Sequence, residues 1–222
     1  MDYKADFITF MARSGALTFG DFQTKSGRQT PYFINTGNYN TGWQISSLGG
    51  FYADCITSNL TVGQNTVLFG PAYKGISLAV STSIALAGRG INTGYCFNRK
   101  ETKDHGEGGA LVGHNLTQNT RVIIIEDVIT AGTAVREVLP IFNRAGCTVD
   151  ALIISVNRLE RGTGTRSAIS ELWEDHQIPT YAIVDVQDIL STLHNTPIDG
   201  KLYIDDHTAA KIRAYMNEYC ET

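Results

Sequence analysis

The sequence predicts an α/β fold with a central, mostly parallel sheet that carries helices on both faces. From about residue 42 onward, segments with the patterns of helices and strands alternate, which is typical of parallel strands joined by crossover helices. The run 122–125 contains only β-branched apolar residues, which indicates a strand buried on both faces. With 222 residues, 42% of them hydrophobic, the chain is long enough for one such domain with a full core.

The first 37 residues precede this alternating part and predict a different unit. Residues 3–13 have a helical pattern, and the segments 17–23 and 32–35 alternate around a Lys-Ser-Gly-Arg turn, which predicts a β-hairpin. A two-stranded unit of this size cannot bury a core of its own. We therefore expect a single domain over residues 1–222, with a small hood formed mainly by residues 1–37.

The alternating part predicts the following elements in order: helix 43–59, strand 66–70, helix 75–89, strand 93–98, a polar loop 99–113, strand 121–126, helix 132–145, strand 149–156, helix 166–176, strand 180–185 and two C-terminal helical stretches. Pro140 lies inside the helix 132–145. An interior proline removes a backbone hydrogen bond and clashes with the preceding turn, so we expect a kink or an early end of that helix.

Composition argues against several classes of protein. The net charge is −4, so the chain lacks the basic excess of a general nucleic-acid-binding surface. The N-terminus has no basic start followed by an apolar run, and the most apolar long window, 76–87, is too short to span a bilayer, so we expect neither export nor a membrane partner. The cysteines form no Cys-x-x-Cys motif and are far apart, which favours reduced thiols in a cytoplasmic protein and no zinc site.

The chemistry of the chain is concentrated where the strand 121–126 ends. Glu126 and Asp127 are followed by a Thr-Ala-Gly-Thr loop at 130–133 and then by a helical pattern. Ligands of open α/β sheets bind beyond the carboxyl ends of the strands, and a small-residue loop at a helix N-terminus can hold a phosphate. Because two carboxylates would repel phosphate, we expect them to bind sugar hydroxyls or a cation. The alternative is an ordinary buried strand followed by a turn.

Two further loops carry cations. Gly70-Pro71-Ala72-Tyr73-Lys74-Gly75 follows another predicted strand; Lys74 alone could be a solvated loop lysine, but its place at a second strand end favours an anion site. Residues 99–109 combine Arg99, Lys100, Lys103 and His105 with three glycines. Such a segment is typical of a loop that closes over a charged substrate and excludes water, although a solvated polar loop is the alternative.

Two features favour binding of a flat, anionic ring. Phe33 and Ile34 lie near polar backbone and could frame a ring, although core packing is the better interpretation of these two residues taken alone. Arg158 follows the strand 149–156, and its guanidinium suits a planar carboxylate or imide edge. Arg161 would serve equally well on composition alone.

Taken together, the motifs at 25–28, 70–75, 96–109, 121–134 and 158–162 resemble, in order, those of the orotate phosphoribosyltransferases, which have the type I phosphoribosyltransferase fold. Glu126 stands where an aspartate is common in that family. The resemblance implies contacts of phosphoribosyl pyrophosphate (PRPP) with Lys25, Tyr73, Lys74, Arg99, Lys100, Lys103, His105, Glu126, Asp127, Val128, Ile129, Thr130, Ala131, Gly132, Thr133 and Ala134. It implies orotate contacts with Phe33, Ile34, Thr130 and Arg158, and catalytic roles for Lys103, His105 and Asp127. After Arg161 the resemblance is weaker and implies no site residue.

The resemblance also implies an activity. Such an enzyme transfers ribose 5-phosphate from PRPP to orotate and releases pyrophosphate, in pyrimidine biosynthesis. It uses Mg²⁺ held mainly by PRPP and water, and it forms a homodimer in which the 99–109 loop reaches the neighbouring subunit's site. The loop at 70–75 often contains a cis non-proline peptide in that family. The alternatives are a phosphoribosyltransferase for another base and a ligand-sensing regulator of the same fold, which tends to lose the 99–109 loop.

Overall fold

The computed structural model describes residues 3–24, 27–100, 111–129, 131–162 and 164–221. The strands in these ranges are β1 (Leu17–Gln23), β2 (Gln29–Ile34), β3 (Thr66–Gly70), β4 (Gly94–Asn98), β5 (Leu111–Gly113), β6 (Arg121–Ile125), β7 (Thr148–Asn157) and β8 (Thr180–Asp185). The helices are α1 (Tyr3–Arg13), α2 (Gly42–Asn59), α3 (Lys74–Ala87), α4 (Thr133–Ala145), α5 (Ala168–His176), α6 (Val186–Leu193) and α7 (Asp206–Tyr219), with a 3₁₀ turn at Thr36–Asn38.

Within the described ranges, the central sheet has the strand order β5-β4-β3-β6-β7-β8. All neighbouring strands are parallel except β4 and β5, which are antiparallel. The carboxyl ends of β3, β6 and β7 therefore meet at one edge of the sheet, where a ligand site is expected. The α/β prediction is confirmed.

Helices cover both faces of the sheet, as the alternation predicts. On one face, buried side chains of α1, α2, α3, α6 and α7 form a core cluster with Leu68, Ile123 and Ile153 of the strands. On the other face, Val135, Val138 and Phe142 of α4 pack with Leu172 of α5 against the alternate residues of the same strands. The all-apolar β6 is buried on both sides because each of its faces meets a helical layer.

The hairpin of β1 and β2 forms a separate antiparallel sheet, and Leu17 pairs with Ile34. Its residues Leu17 and Tyr32 are buried in the same cluster as the helices of the first face. The ring of Tyr32 meets the ring of Tyr215 on α7 edge-on, with centroids 5.9 Å apart. Asp21 of the hairpin also forms a 2.8 Å ion pair with Lys211 of α7. The hairpin therefore rests on the C-terminal helix.

The predicted helices and strands are confirmed, and the largest difference, at the start of β2, is three residues (predicted 32, observed Gln29). The expectation of an uninterrupted polar loop over 99–113 is wrong, because residues 111–113 form β5 against β4. An early end of α4 at Pro140 is also wrong, because the helix continues to Ala145. Pro140 lies on the exposed side of the helix, while Val138 and Phe142 pack in the core on its other side.

Within the described ranges, none of the helices has the length and apolar character of a membrane-spanning helix. The four cysteines are free thiols, three of them buried.

Candidate active site

A compact polar network lies at the carboxyl edge of the sheet, around the two acids that follow β6. Asp127 Oδ2 accepts hydrogen bonds from Lys74 Nζ and from Thr36 Oγ1, each at 2.7 Å. Lys74 Nζ also lies 3.1 Å from Thr36 Oγ1. Lys74 is there because α3 begins directly after the turn that follows β3, the strand that pairs with β6. Thr36 is there because it directly follows the hairpin, at the start of the 3₁₀ turn.

The backbone of the two acids is held by the neighbouring strand β7 and by helix α2. The Ser155 N–H and Oγ both donate to the Asp127 carbonyl, at 2.8 and 2.6 Å, and the Tyr52 hydroxyl donates to the Glu126 carbonyl at 2.7 Å. Asp127 Oδ1 accepts from the Val128 N–H at 2.8 Å, and Glu126 Oε1 accepts from the Asp127 N–H at 3.0 Å. Both carboxylates are therefore fixed in position, since each has a backbone partner.

The two neighbouring carboxyl groups titrate differently. Burial raises the pKa of Glu126 to about 7, against the opposing hydrogen bond from the Asp127 N–H. Burial acts on Asp127 in the same direction, but the hydrogen bonds from Lys74 and Thr36 outweigh it and lower the pKa of Asp127 below its ordinary value. Asp127 is thus a carboxylate at neutral pH, while Glu126 is near its midpoint.

The segment after the acids leads into the N-terminus of α4. Val128 forms a parallel bridge with Val156 of β7. Ile129 packs against the core cluster that α4 and α5 form with the sheet. Gly132 has the left-handed backbone conformation, with φ 70° and ψ 11°, at the start of the helix. No side chain in the described part of the chain caps that start. The first N–H groups of α4, at Thr133 and Ala134, are therefore open to an anion.

A cleft of about 580 Å³ opens over this edge of the sheet. Its lining includes Glu126, Asp127 and Lys74 together with the start of α4, and most predicted PRPP contacts border it: Tyr73, Lys74, Lys100, Glu126, Asp127, Val128, Ile129, Ala131, Gly132, Thr133 and Ala134. The structure thus brings Lys74, Lys100 and the acid pair to one place.

The loop between β3 and α3 forms one wall of the cleft. The Ala72–Tyr73 peptide bond is cis, and the Ala72 N–H donates to Asn98 Oδ1 at 2.9 Å. The Tyr73 ring is 69% exposed, and Lys100 Nζ lies 5.7 Å from its centroid. Arg99 directly follows β4 and is half-buried. The ends of β3 and β4 therefore present cations and an aromatic ring on the same side.

Three of the four predicted base contacts are described, and they lie on two segments. Core packing is wrong for Phe33, which is 43% exposed and faces Phe22 with ring centroids 5.6 Å apart; Ile34 is partly buried and packs against the core. Arg158 lies two residues beyond Val156, the bridge partner of Val128, and its guanidinium pairs with Glu160. Arg161, the alternative, directs its guanidinium to the Glu218 carbonyl of α7 instead.

Four predicted site residues lie outside the described residues: Lys25, Lys103, His105 and Thr130. Their assignments stay predictions. Among the residues that are described, no group of three or more His, Cys, Asp or Glu side chains could hold a metal ion.

The structure adds site residues that the sequence reasoning did not identify. Thr36, Tyr52, Ser155 and Asn98 all bond to the acids or to the loop after β3. Ser155 had a usable signal, because it is the polar residue within the otherwise apolar, buried run 151–156 of β7. Thr36, Tyr52 and Asn98 stand in segments without such a signal.

Comparisons with known proteins agree with this arrangement. Residues 45–174 match the family model described as the phosphoribosyl transferase domain. The orotate phosphoribosyltransferase of Clostridium beijerinckii is 50% identical over 219 residues, covering 98% of this chain and 97% of the relative. That of Clostridium acetobutylicum is 51% identical over 220 residues, with the same coverages. The 1.9 Å crystal structure of orotate phosphoribosyltransferase from Francisella tularensis is similar with a TM-score of 0.84 at 33% identity, covering 97% of this chain and all of that one.

Proposed function

The chain belongs to the phosphoribosyl transferase family and, within it, to the orotate phosphoribosyltransferases, and from this premise we propose which of its residues carry the transfer of ribose 5-phosphate from PRPP to orotate. The observation that carries the proposal is the network of Lys74, Thr36 and Asp127 beside the open start of α4. The network and the helix start together provide groups that suit a sugar, a phosphate and a pyrophosphate leaving group.

Glu126 and Asp127 bind the ribose hydroxyls, and residues 130–134 bind the 5-phosphate. Carboxylates held by backbone N–H groups are fixed acceptors for sugar hydroxyls. The open N–H groups at the start of α4 suit a phosphate, since a helix N-terminus carries partial positive charge. Gly132 supports this assignment because the turn into α4 needs a left-handed backbone there, which glycine adopts without strain.

The cations of three segments bind the pyrophosphate part of PRPP. Lys74 and Lys100 border the cleft and Arg99 is adjacent; we assign Lys25, Lys103 and His105 to the same group. As pyrophosphate leaves, negative charge grows on it and positive charge grows on the ribose carbon. Fixed cations on the leaving group therefore stabilise the transition state, while a loop that covers the cleft limits hydrolysis by water.

Orotate binds next to the ribose, where its ring nitrogen attacks the ribose carbon. We assign its carboxylate to Arg158, whose guanidinium can form a two-pronged pair with a planar anion. Phe33 and Ile34 border the ring, and Thr130 completes the site. The exposure of Phe33 supports this assignment, because a core role does not explain an exposed aromatic ring.

Mg²⁺ fits this cleft as a companion of PRPP rather than as a resident ion. Asp127 Oδ2 already accepts from Lys74 and Thr36, and Glu126 Oε1 accepts from a backbone N–H. The described residues offer no cluster of three ligands, and Mg²⁺ commonly keeps waters and substrate phosphates in its coordination shell. When bound to PRPP, the ion would neutralise charge on the pyrophosphate.

We also propose a cytoplasmic homodimer. Tyr73 and Ile84 are 69% and 68% exposed, and Ile76 and Val80 lie between them on the same face of α3, at helical spacing. Tyr95 of β4 is a further exposed aromatic residue, and exposed apolar patches mark interaction sites. Because Tyr73 also borders the cleft, a second copy seated here would lie beside the site. Free thiols support a reducing compartment.

The decisive experiment follows orotate absorbance with purified protein and PRPP. We expect turnover that needs Mg²⁺, stops with a chelating agent and returns when Mg²⁺ is added in excess. Adenine, guanine and hypoxanthine should not replace orotate. Turnover that a chelator leaves unchanged would contradict the role of Mg²⁺, and equal turnover with a purine would contradict the base contacts assigned to Arg158.

A further inference from the structure

The C-terminal helix α7 reaches Arg158, the residue assigned to orotate, through one hydrogen-bonded chain of side chains. The Tyr215 hydroxyl donates to Glu160 Oε1 at 2.7 Å, and the same oxygen lies 2.5 Å from Arg158 Nη2. The side chains of Arg158 and Glu160 are only 17% and 12% exposed. A residue of α7 is therefore two contacts away from the guanidinium assigned to orotate.

The guanidinium of Arg158 has few other restraints. Its Cζ lies 5.3 Å from the centroid of the Tyr32 ring, in a cation–π contact. Its Nε and Nη2 atoms are buried and have no well-directed hydrogen bond within the described part of the chain, even though Nη2 is in ion-pair contact with Glu160. The orientation of the guanidinium thus depends on Glu160 and on the Tyr32 ring.

Tyr215 itself is rigidly placed relative to Arg158. The end of α7 is tied to the segment after β7: the Arg161 N–H donates to the Tyr219 carbonyl at 2.9 Å, and the Glu221 N–H donates to the Leu159 carbonyl at 2.9 Å. Cys220 Sγ lies 3.4 Å from the Arg158 carbonyl. Burial and the Glu160 carboxylate raise the pKa of Tyr215, so its hydroxyl stays a hydrogen-bond donor at physiological pH.

We propose that Tyr215 is a positioning residue for the orotate subsite, because its hydroxyl holds Glu160 where a single carboxylate oxygen meets Arg158. A carboxylate without this restraint can turn to form the two-pronged pair that Arg prefers. That pair would turn the guanidinium toward Glu160 and away from the substrate carboxylate. The inference rests on the proposed contact between Arg158 and orotate, and it gives α7 a role in the choice of base.

The test compares Tyr215→Phe with Tyr219→Phe, which removes a hydroxyl from the same helix one turn later without touching Glu160. We expect Tyr215→Phe to raise the KM for orotate about tenfold, which corresponds to loss of one hydrogen bond to a charged group. The KM for PRPP and the melting temperature should stay close to those of Tyr219→Phe. A purely structural role for Tyr215 would instead lower the melting temperature and affect both substrates.

A double-mutant cycle with Arg158→Lys tests the route of the effect. If Tyr215 acts through Arg158, its replacement should change the KM for orotate little in the Arg158→Lys background. The same tenfold change in both backgrounds would overturn the inference, as would an unchanged KM for orotate in folded Tyr215→Phe. If Tyr215→Phe does not fold, Glu160→Gln keeps the inference testable: its neutral amide cannot form the two-pronged ionic pair with Arg158, so the KM for orotate should rise much less than tenfold, and a tenfold rise would overturn the inference.

The cycle also separates this inference from the assignment on which it rests. An Arg158→Lys variant that binds orotate normally would overturn the orotate contact of Arg158, and the inference with it. A weakened Arg158→Lys variant beside a normal Tyr215→Phe variant would overturn only the role of Tyr215.

Discussion

Lys74 Nζ lies 2.7 Å from Asp127 Oδ2, and the two residues come from the ends of neighbouring strands of the sheet. Asp127 is nearly buried, whereas the Lys74 side chain is 64% exposed. In the proposed site, ribose hydroxyls that reach Asp127 share or replace Lys74, and we expect a displaced Lys74 to meet the pyrophosphate. We therefore propose that the ion pair links recognition of the sugar to recognition of the leaving group.

Asp127→Asn should weaken use of PRPP without loss of the fold. The change removes a charged acceptor for the ribose hydroxyls and the partner of Lys74, so we expect kcat/KM for PRPP to fall about 10–100-fold. Asp150→Asn is the matched control, since Asp150 is ion-paired with Arg121 near the opposite end of the sheet. Equal kinetics for the two variants would show that Asp127 has only a structural role.

Glu126 should make the protein less stable as the pH rises from about 4.5 to about 7. Its pKa is raised in the folded state to about 7 from the ordinary 4.5, so the folded protein binds more protons than the unfolded chain in this window and its free energy of unfolding falls with pH. The decline should reach up to about 3 kcal/mol. Asp127 acts in a different window, because its lowered pKa gives stability that is lost only below about 3.8.

Denaturant unfolding of the wild type and of Glu126→Gln at several pH values measures this contribution of Glu126 to the free energy of unfolding. The difference between the two proteins should grow from pH 4.5 to pH 7.5 in favour of the variant. A constant difference over this range would mean that Glu126 titrates normally in the folded protein.

Gly70→Ala should destabilise the fold by about 3 kcal/mol or more. A Cβ at this position would lie 2.1 Å from the Gly75 carbonyl oxygen, so the turn that carries Lys74 would have to open. Gly50→Ala is the control, because a Cβ there meets nothing within 4 Å and alanine favours helix α2 by about 0.5–1 kcal/mol. Chemical denaturation that finds both variants equally stable would disprove this account of the turn.

Lys103→Ala should lower kcat more than it raises KM, because a loop cation that meets the pyrophosphate only after closure stabilises the transition state more than the bound substrate.

Mixing the Lys103→Ala variant with Asp127→Asn tests whether the loop serves the neighbouring subunit. Each heterodimer would then hold one intact composite site and one doubly defective site. Random exchange should restore about a quarter of the wild-type sites, as half of the dimers are mixed. Free exchange without a gain over the average of the parents would refute the shared site.

Features that are local in sequence were predictable. The buried strand β6, the acids after it and the small-residue turn that opens α4 are contiguous, so their periodicity and composition indicate both the fold and the phosphate site. By contrast, Thr36 and Asp127 are separated by 91 residues, and Glu160 and Tyr215 by 55. Such contacts depend on how distant segments pack, which no local pattern records.

Two local predictions were wrong for identifiable physical reasons. Three residues are too few for an alternating pattern, so β5 is indistinguishable from the polar loop beside it. Of the kink or early end expected at Pro140, the early end is wrong. Local sequence does not show which side of α4 faces water, and Pro140 lies on the exposed side. The buried side of that helix contributes enough packing to continue it for five residues, to Ala145.

The antiparallel pairing of β4 and β5 also fixes both ends of the segment that joins these two strands. Asn98 and Leu111 are paired residues, so the intervening segment leaves and re-enters the sheet at one fixed point. Twelve residues, 99–110, join Asn98 to Leu111. Because both ends are fixed, the backbone of this segment can extend from the pair by at most half of its full length, about 20 Å. The backbone of Lys103 and of His105 must therefore lie within this radius of the Asn98–Leu111 pair, and a pyrophosphate that either residue contacts can lie farther away only by the reach of one side chain, whichever subunit binds it. This limit gives a geometric criterion for the dimer: an arrangement that puts the partner's cleft beyond the radius plus one side-chain length is incompatible with a shared site.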